Sequence, residues 1–182
     1  MYTTENVIFL GVVSLPLLIV LNLIRRKSVF YHLVSAAVWI YLVGVIAVTL
    51  APFIVDSRVI ESNKHMGGAV SFNFIPLKSI KGAFDRSYFG MRNLIGNILL
   101  LLPFGVLAGS KRNIRIYKMV LIGVAASVFI EALQFLLASS YVIQRRSVDI
   151  DDVILNSCGY LFGCLAALIG KRAFLKKSVL SQ

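Results

Sequence analysis

The 182-residue chain is 58% hydrophobic and 15% charged, with a formal net charge of +11. Water-soluble domains are nearer half apolar and a quarter charged, and a chain this short cannot hide the excess in a core, so a soluble globular fold is excluded and a bilayer is the matching solvent. The basic residues fall between apolar runs and not along one polar face, which excludes a nucleic-acid-binding role.

Five runs are long enough to cross about 30 Å of hydrocarbon at 1.5 Å per residue. The first, residues 7–24, follows a leader without positive charge and precedes Arg25, Arg26 and Lys27. It lacks a small-residue cleavage site, so it reads as a retained helix and not as a signal peptide. The second covers 31–55. A loop at 56–92 follows, in which Leu77, Ile80 and Phe84 recur at helical spacing behind Pro76. That pattern predicts a short amphipathic helix over 76–84, lying on the membrane surface. The third run, 94–108, is short and contains Pro103, which predicts a kink or local break. The fourth covers 119–138 and the fifth 153–170.

Cys158 and Cys164 lie six residues apart in the fifth run and point in different directions on a helix. They read as small buried hydrophobes and not as a disulfide. Gly159 and Gly163 form a small-xxx-small surface that admits a close helix neighbour. His32 and His65 have no second ligand at helical spacing, and no zinc pattern is present.

Charge sets an expected orientation. Arg25, Arg26, Lys27, Lys111, Arg112, Arg115, Lys118, Lys171, Arg172, Lys176 and Lys177 lie in three segments without an acidic residue. Five spans put all three segments on one side, and positive charge marks the cytoplasmic side. The expected fold is all-α, a polytopic membrane helix bundle of about five transmembrane helices, N-terminus out and C-terminus in. Residues 1–182 form a single membrane domain.

Polar residues within these runs are costly in lipid and mark function or helix contacts. Ser127, Glu131 and Gln134 share one face of the fourth helix. With a fifth helix starting near Val148, Asp149, Asp152 and Asn156 share another face, while Asp151 points elsewhere and meets water. Asn93 and Asn97 are four apart on the third. The expected topology puts all three stripes at one depth, which predicts a carboxylate-rich pocket open to the outer leaflet. Such a pocket suits acid–base chemistry by paired carboxylates. It also suits Mg²⁺ or Ca²⁺ held by Asp, Glu and Asn oxygens. A third use is headgroup recognition, with Arg145 and Arg146 on a phosphate. The competing reading is helix glue, at about 0.6–2 kcal/mol per interhelical hydrogen bond. Arg146 could equally form a structural ion pair with Glu131 or Asp149.

Four segments in order then carry a resemblance: Phe72-Asn73-Phe74-Ile75-Pro76; Asn93-Leu94-Ile95-Gly96-Asn97 running to Pro103-Phe104-Gly105; Glu131-Ala132-Leu133-Gln134; and Arg146-Ser147-Val148-Asp149-Ile150-Asp151-Asp152 through Asn156 and Gly159. Over about residues 70–165 the chain resembles the VanZ-like family of bacterial membrane proteins. Arg145 stands where the family often has Gly, and the first two runs carry no matching motif. The resemblance implies a multi-pass protein of the Gram-positive cytoplasmic membrane, associated with resistance to teicoplanin and related lipoglycopeptides. It implies no enzyme class.

The combined expectation is a cell-envelope protein that binds or modifies a surface amphiphile. Glu131, Asp152 and Asp149 are the candidate reactive groups. Asn93, Asn97, Gln134, Arg146 and Asn156 are candidate ligand contacts. A divalent cation is an admissible cofactor, with no metal ligand assigned. The expected partners are the lipid bilayer and a lipid-linked envelope component or lipoglycopeptide, with self-association open. The alternatives are a hydrolase or transferase on lipid-linked envelope material, a small transporter, and a helix-docking partner of another envelope protein.

Overall fold

The computed structural model describes residues 2–65, 70–85, 87–111, 115–143 and 147–180. Its elements in chain order are α1 (Thr4–Ile24), α2 (Val29–Thr49), α3 (Ser57–His65), β1 (Phe72–Asn73), α4 (Lys78–Asp85), α5 (Ser87–Gly109), α6 (Ile116–Ser139), β2 (Val148–Asp149) and α7 (Ile150–Leu180). Five helices have the length and apolarity of membrane spans: Thr4–Ile24, Val29–Thr49, Gly90–Gly109, Ile116–Ser139 and Ile150–Ala173. The chain is an all-α, multi-pass membrane protein.

The expected third run gains a turn at its start, and α5 continues through Pro103 without a break in the helix. The backbone groups a proline frees are tolerated in membrane helices when neighbours satisfy them. The amphipathic helix expected over 76–84 is α4, which starts two residues later at Lys78 because Leu77 adopts a left-handed φ of 67°. Helix α3 was not anticipated.

The chain forms two compact units. One comprises Met1–Val70 and Gln134–Arg146, the other Ser71–Leu133 and Ser147–Gln182. In the first, α1 opens with a reciprocal cap between Thr3 and Asn6. It runs beside α2 through three contacts. Asn22 Nδ2 donates to Ser35 Oγ at 2.8 Å, Trp39 Nε1 donates to the Gly11 carbonyl at 3.0 Å, and Val43 packs on the bare α-carbon of Gly11. Phe53 pairs with Tyr2 and Ile143 in short antiparallel bridges.

In the second unit, α5 and α7 run side by side and parallel, with glycines at the seam. A Cβ on Gly159 would strike the Ile98 carbonyl, and one on Gly163 the Leu102 carbonyl. From the other side, Gly105 faces the Tyr160 carbonyl and Gly109 the Cys164 carbonyl. Backbone lies against backbone, the approach that small residues permit between membrane helices. The neighbour that Gly159 and Gly163 admit is therefore α5 of the same chain. Helix α6 runs antiparallel to α7. Gly123 sits on the Tyr160 ring, where an added Cβ would lie 2.5 Å from Cδ1, and one turn on, Ser127 Oγ donates to the Val153 carbonyl at 3.2 Å. Leu101, Ala108, Met119, Tyr160 and Cys164 form the core, with Phe104 tilted against Tyr160 at 5.3 Å between ring centroids. Lys171 closes the far end by donating to the Gly109 and Lys111 carbonyls at 3.3 and 3.1 Å. The Gly109 carbonyl ends α5, where the last carbonyls of a helix have no partner within it. Cys158 and Cys164 are free thiols.

Candidate functional site

The site grows from a two-residue parallel ladder. Phe72 pairs with Val148 and Asn73 with Asp149, joining the loop before α4 to the start of α7. Across 76 residues of sequence, Asn73 Nδ2 donates to Asp149 Oδ1 at 2.9 Å and to Ser79 Oγ at 3.0 Å, and the Ser79 hydroxyl donates to Asp149 Oδ2. Asn73, Ser79 and Asp149 thus close a ring of hydrogen bonds. Asp149 also accepts from the Asp151 amide at 2.9 Å, in the manner of a helix N-cap.

Asp151 overturns the expectation that it meets water. Its residue is 0% exposed. Its carboxylate accepts from the amides of Leu77, Ser79 and Ile80 at 2.6, 2.7 and 3.1 Å. These are the orphan donors at the start of α4, where a negative charge also meets the positive end of the helix dipole. The expectation failed because it treated 148–156 as one helix facing a solvated mouth. The helix begins at Ile150, and the hairpin made by β1, the turn at 74–77 and α4 covers the side on which Asp151 lies.

One residue on, Asp152 faces α5. Asn97 Nδ2 donates to Asp152 Oδ1, so the third and fifth spans meet through two of the expected residues. Asn156, one turn deeper on the same face of α7, is 1% exposed, and its Oδ1 is buried without a hydrogen-bond partner. Ser157 Oγ beside it is in the same state. Buried acceptors of this kind are uncommon and call for a reason. Helix α6 brings the third element. Ser127, fully buried, contacts α7 at Val153, and Glu131 follows one turn further toward the level at which α7 begins. Glu131 is 7% exposed. The antiparallel register puts its α-carbon level with the start of α7, where Asp152 lies in the first turn and Asp149 just before it.

Two expected members stand apart. Asn93 is exposed, one turn nearer the end of α5 than Asn97. Gln134 belongs to the other unit, where Nε2 donates to the Thr49 carbonyl at 2.9 Å. Thr49 ends α2, and its carbonyl has no partner within that helix. The stripe Ser127, Glu131, Gln134 is therefore divided between two tasks. Arg145 and Arg146 lie outside the described residues. Among the described residues, no group of three or more His, Cys, Asp or Glu is arranged to hold a metal ion.

The hairpin beside this cluster is apolar on its outer side. Phe72 and Phe74 stack at 5.7 Å, and Phe74 is 68% exposed, with Ile75, Leu77 and Phe84 also exposed. The hairpin is hydrogen-bonded to the first residues of a membrane span, and exposed apolar groups with Lys78 and Lys81 among them are the composition that suits a membrane interface. Sequence reasoning singled out Asn73 only as part of a motif and missed Ser79. Their signal was the Asn-x-Ile-Pro-x-x-Ser spacing, an Asx turn followed by a helix start.

No curated protein and no solved structure matched the chain. A family model described as VanZ/LLP1 matches residues 38–171, which take in α5, α6, the β1–β2 ladder and the membrane-spanning start of α7, and the chain belongs to that family.

Proposed function

We propose that this VanZ-like protein lies in a bacterial cytoplasmic membrane and binds or modifies a surface amphiphile at the outer leaflet, with teicoplanin-type lipoglycopeptides among its ligands. Glu131 and Asp152 are the reacting or ligand-contacting pair. Asn97 orients Asp152, and Asn156 offers its amide oxygen one turn deeper. Asp149 belongs with Asn73, Ser79 and Asp151 as a positioning residue. It holds the apolar hairpin at the mouth through which an amphiphile would arrive from the leaflet.

The observation that carries this reading is the contrast among three carboxylates at the start of α7. Asp149 and Asp151 accept from the hairpin, whereas Asp152 accepts from Asn97 on α5, one turn above the buried Asn156 amide oxygen, which has no partner. A polar face of carboxylate and amide oxygens at the end of a span suits ligands that bring hydroxyl or ammonium donors. The outward orientation rests on the basic character of the opposite loops.

The test is teicoplanin susceptibility of a Gram-positive host expressing the chain, beside Glu131→Gln and Asp152→Asn at matched membrane levels. Protection by the wild type, lost in both variants, supports the reading. Equal protection by all three removes the carboxylate pair from the function, and no protection by any removes the lipoglycopeptide.

A further inference from the structure

A second site lies in the first unit, on the face of α2 that carries Tyr31, Val34, Ser35, Val38, Trp39 and Leu42. With Leu18 of α1 these side chains line a groove of about 320 Å³. Its walls are apolar apart from the Tyr31 hydroxyl, the Trp39 indole N–H, which donates to the Gly11 carbonyl, and the Ser35 hydroxyl, which is occupied by Asn22 and the His32 carbonyl. From Tyr31 to Leu42 the groove is about 16 Å long at the rise of an α-helix. That is about half of the ~30 Å hydrocarbon thickness, the depth of one leaflet.

The end of the groove is cationic. Lys27 Nζ lies 5.3 Å from the centroid of the Tyr31 ring, at the rim. Arg25 and Arg26 precede it in the α1–α2 turn, and all three are exposed. No acidic residue occurs between Glu5 and Asp56, so neither α1 nor α2 supplies a carboxylate near this turn. An apolar slot one leaflet deep, opening at three clustered cations, matches a molecule with one acyl chain's length of hydrocarbon below a negative headgroup.

We propose that this groove is a binding site for an anionic phospholipid, with an acyl chain along α2 from Tyr31 to Leu42 and the phosphate at Arg25, Arg26 and Lys27. Basic clusters at the ends of membrane helices attract anionic lipids by about fivefold in affinity for each Lys or Arg. The groove adds what a surface cluster lacks, a fixed place for the chain. The site is independent of the Glu131–Asp152 cluster.

Native mass spectrometry of the full chain in detergent tests it, with phosphatidylglycerol and phosphatidylcholine of identical acyl chains as probes. The expected result is one phosphatidylglycerol retained at least tenfold more tightly than phosphatidylcholine. Replacing Arg25, Arg26 and Lys27 together by Gln removes the preference. Val38→Phe, which fills the groove, removes the retained lipid while Glu131 and the second unit are untouched. Val34→Phe serves as a second filler should Val38→Phe lose its helical circular dichroism. Equal retention of the two lipids, a preference that survives the Gln variant, or a lipid that survives both fillers overturns the proposal and leaves an ordinary annular lipid only.

Discussion

The α1–α2 pair and the α5–α7 pair are both adjacent membrane helices, yet they are held in different ways. None of the most apolar window of α2 is buried, against 28% of that of α7. Helices α1 and α2 meet through side chains, an amide on a hydroxyl and an indole on a carbonyl. Helices α5 and α7 meet through backbone, glycine against carbonyl at four successive points. The first arrangement leaves most of the surface to lipid. The second excludes lipid along the seam, and Asn97, Asp152 and the buried Asn156 lie beside it. A carboxylate is tolerated within a span where protein surrounds it, and the glycine seam provides that surrounding.

The contrast predicts different responses to the same change. Gly159→Ala pushes a methyl group into the Ile98 carbonyl, and backbone there cannot give way. A loss of about 3 kcal/mol or more is expected, read as the unfolding midpoint in detergent. Gly11→Ala meets side-chain atoms of Val43 and no backbone, so a small shift between the sparsely packed α1 and α2 relieves it at a cost of about 1 kcal/mol. Gly44→Ala on α2 meets nothing within 4 Å and leaves the midpoint unchanged or slightly raised. Equal effects at Gly159 and Gly11 would erase the distinction between the two pairs.

Next in size is Asp151→Ala. It removes the acceptor of three amides at the start of α4 and costs about 3 kcal/mol, with faster hydrogen exchange at Leu77, Ser79 and Ile80. Asn73→Ala loosens the same hairpin by about 1 kcal/mol. Asn22→Ala, of similar size, removes one interhelical hydrogen bond worth about 0.6–1.7 kcal/mol and leaves exchange in the hairpin unchanged.

The sequence made the spans legible because apolar length is a direct consequence of bilayer thickness. It also pointed to Asn97, Asp152 and Asn156, since polar residues inside such spans are few. Asp151 was not legible. Its partners are the amides of Leu77, Ser79 and Ile80, more than 70 residues away, and backbone donors leave no mark in a sequence. Asp149 and Asp152 fit an i, i+3 helical pair on paper, but Asp149 belongs to a strand whose partner is the Phe72–Asn73 segment. Gln134 matched the spacing of Glu131, and only the position of Thr49 shows which group it serves.

The central claim is that adjacent carboxylates on α7 divide into one that holds the hairpin and one that serves the proposed site. Asp151→Asn and Asp152→Asn, compared side by side for membrane abundance, for hydrogen exchange at Leu77–Ile80 and for teicoplanin susceptibility, test it directly. The account predicts that Asp151→Asn speeds exchange and lowers abundance, while Asp152→Asn leaves both at wild-type values and still abolishes protection. Loss of the hairpin in Asp152→Asn, or full protection by it at wild-type abundance, would contradict the division.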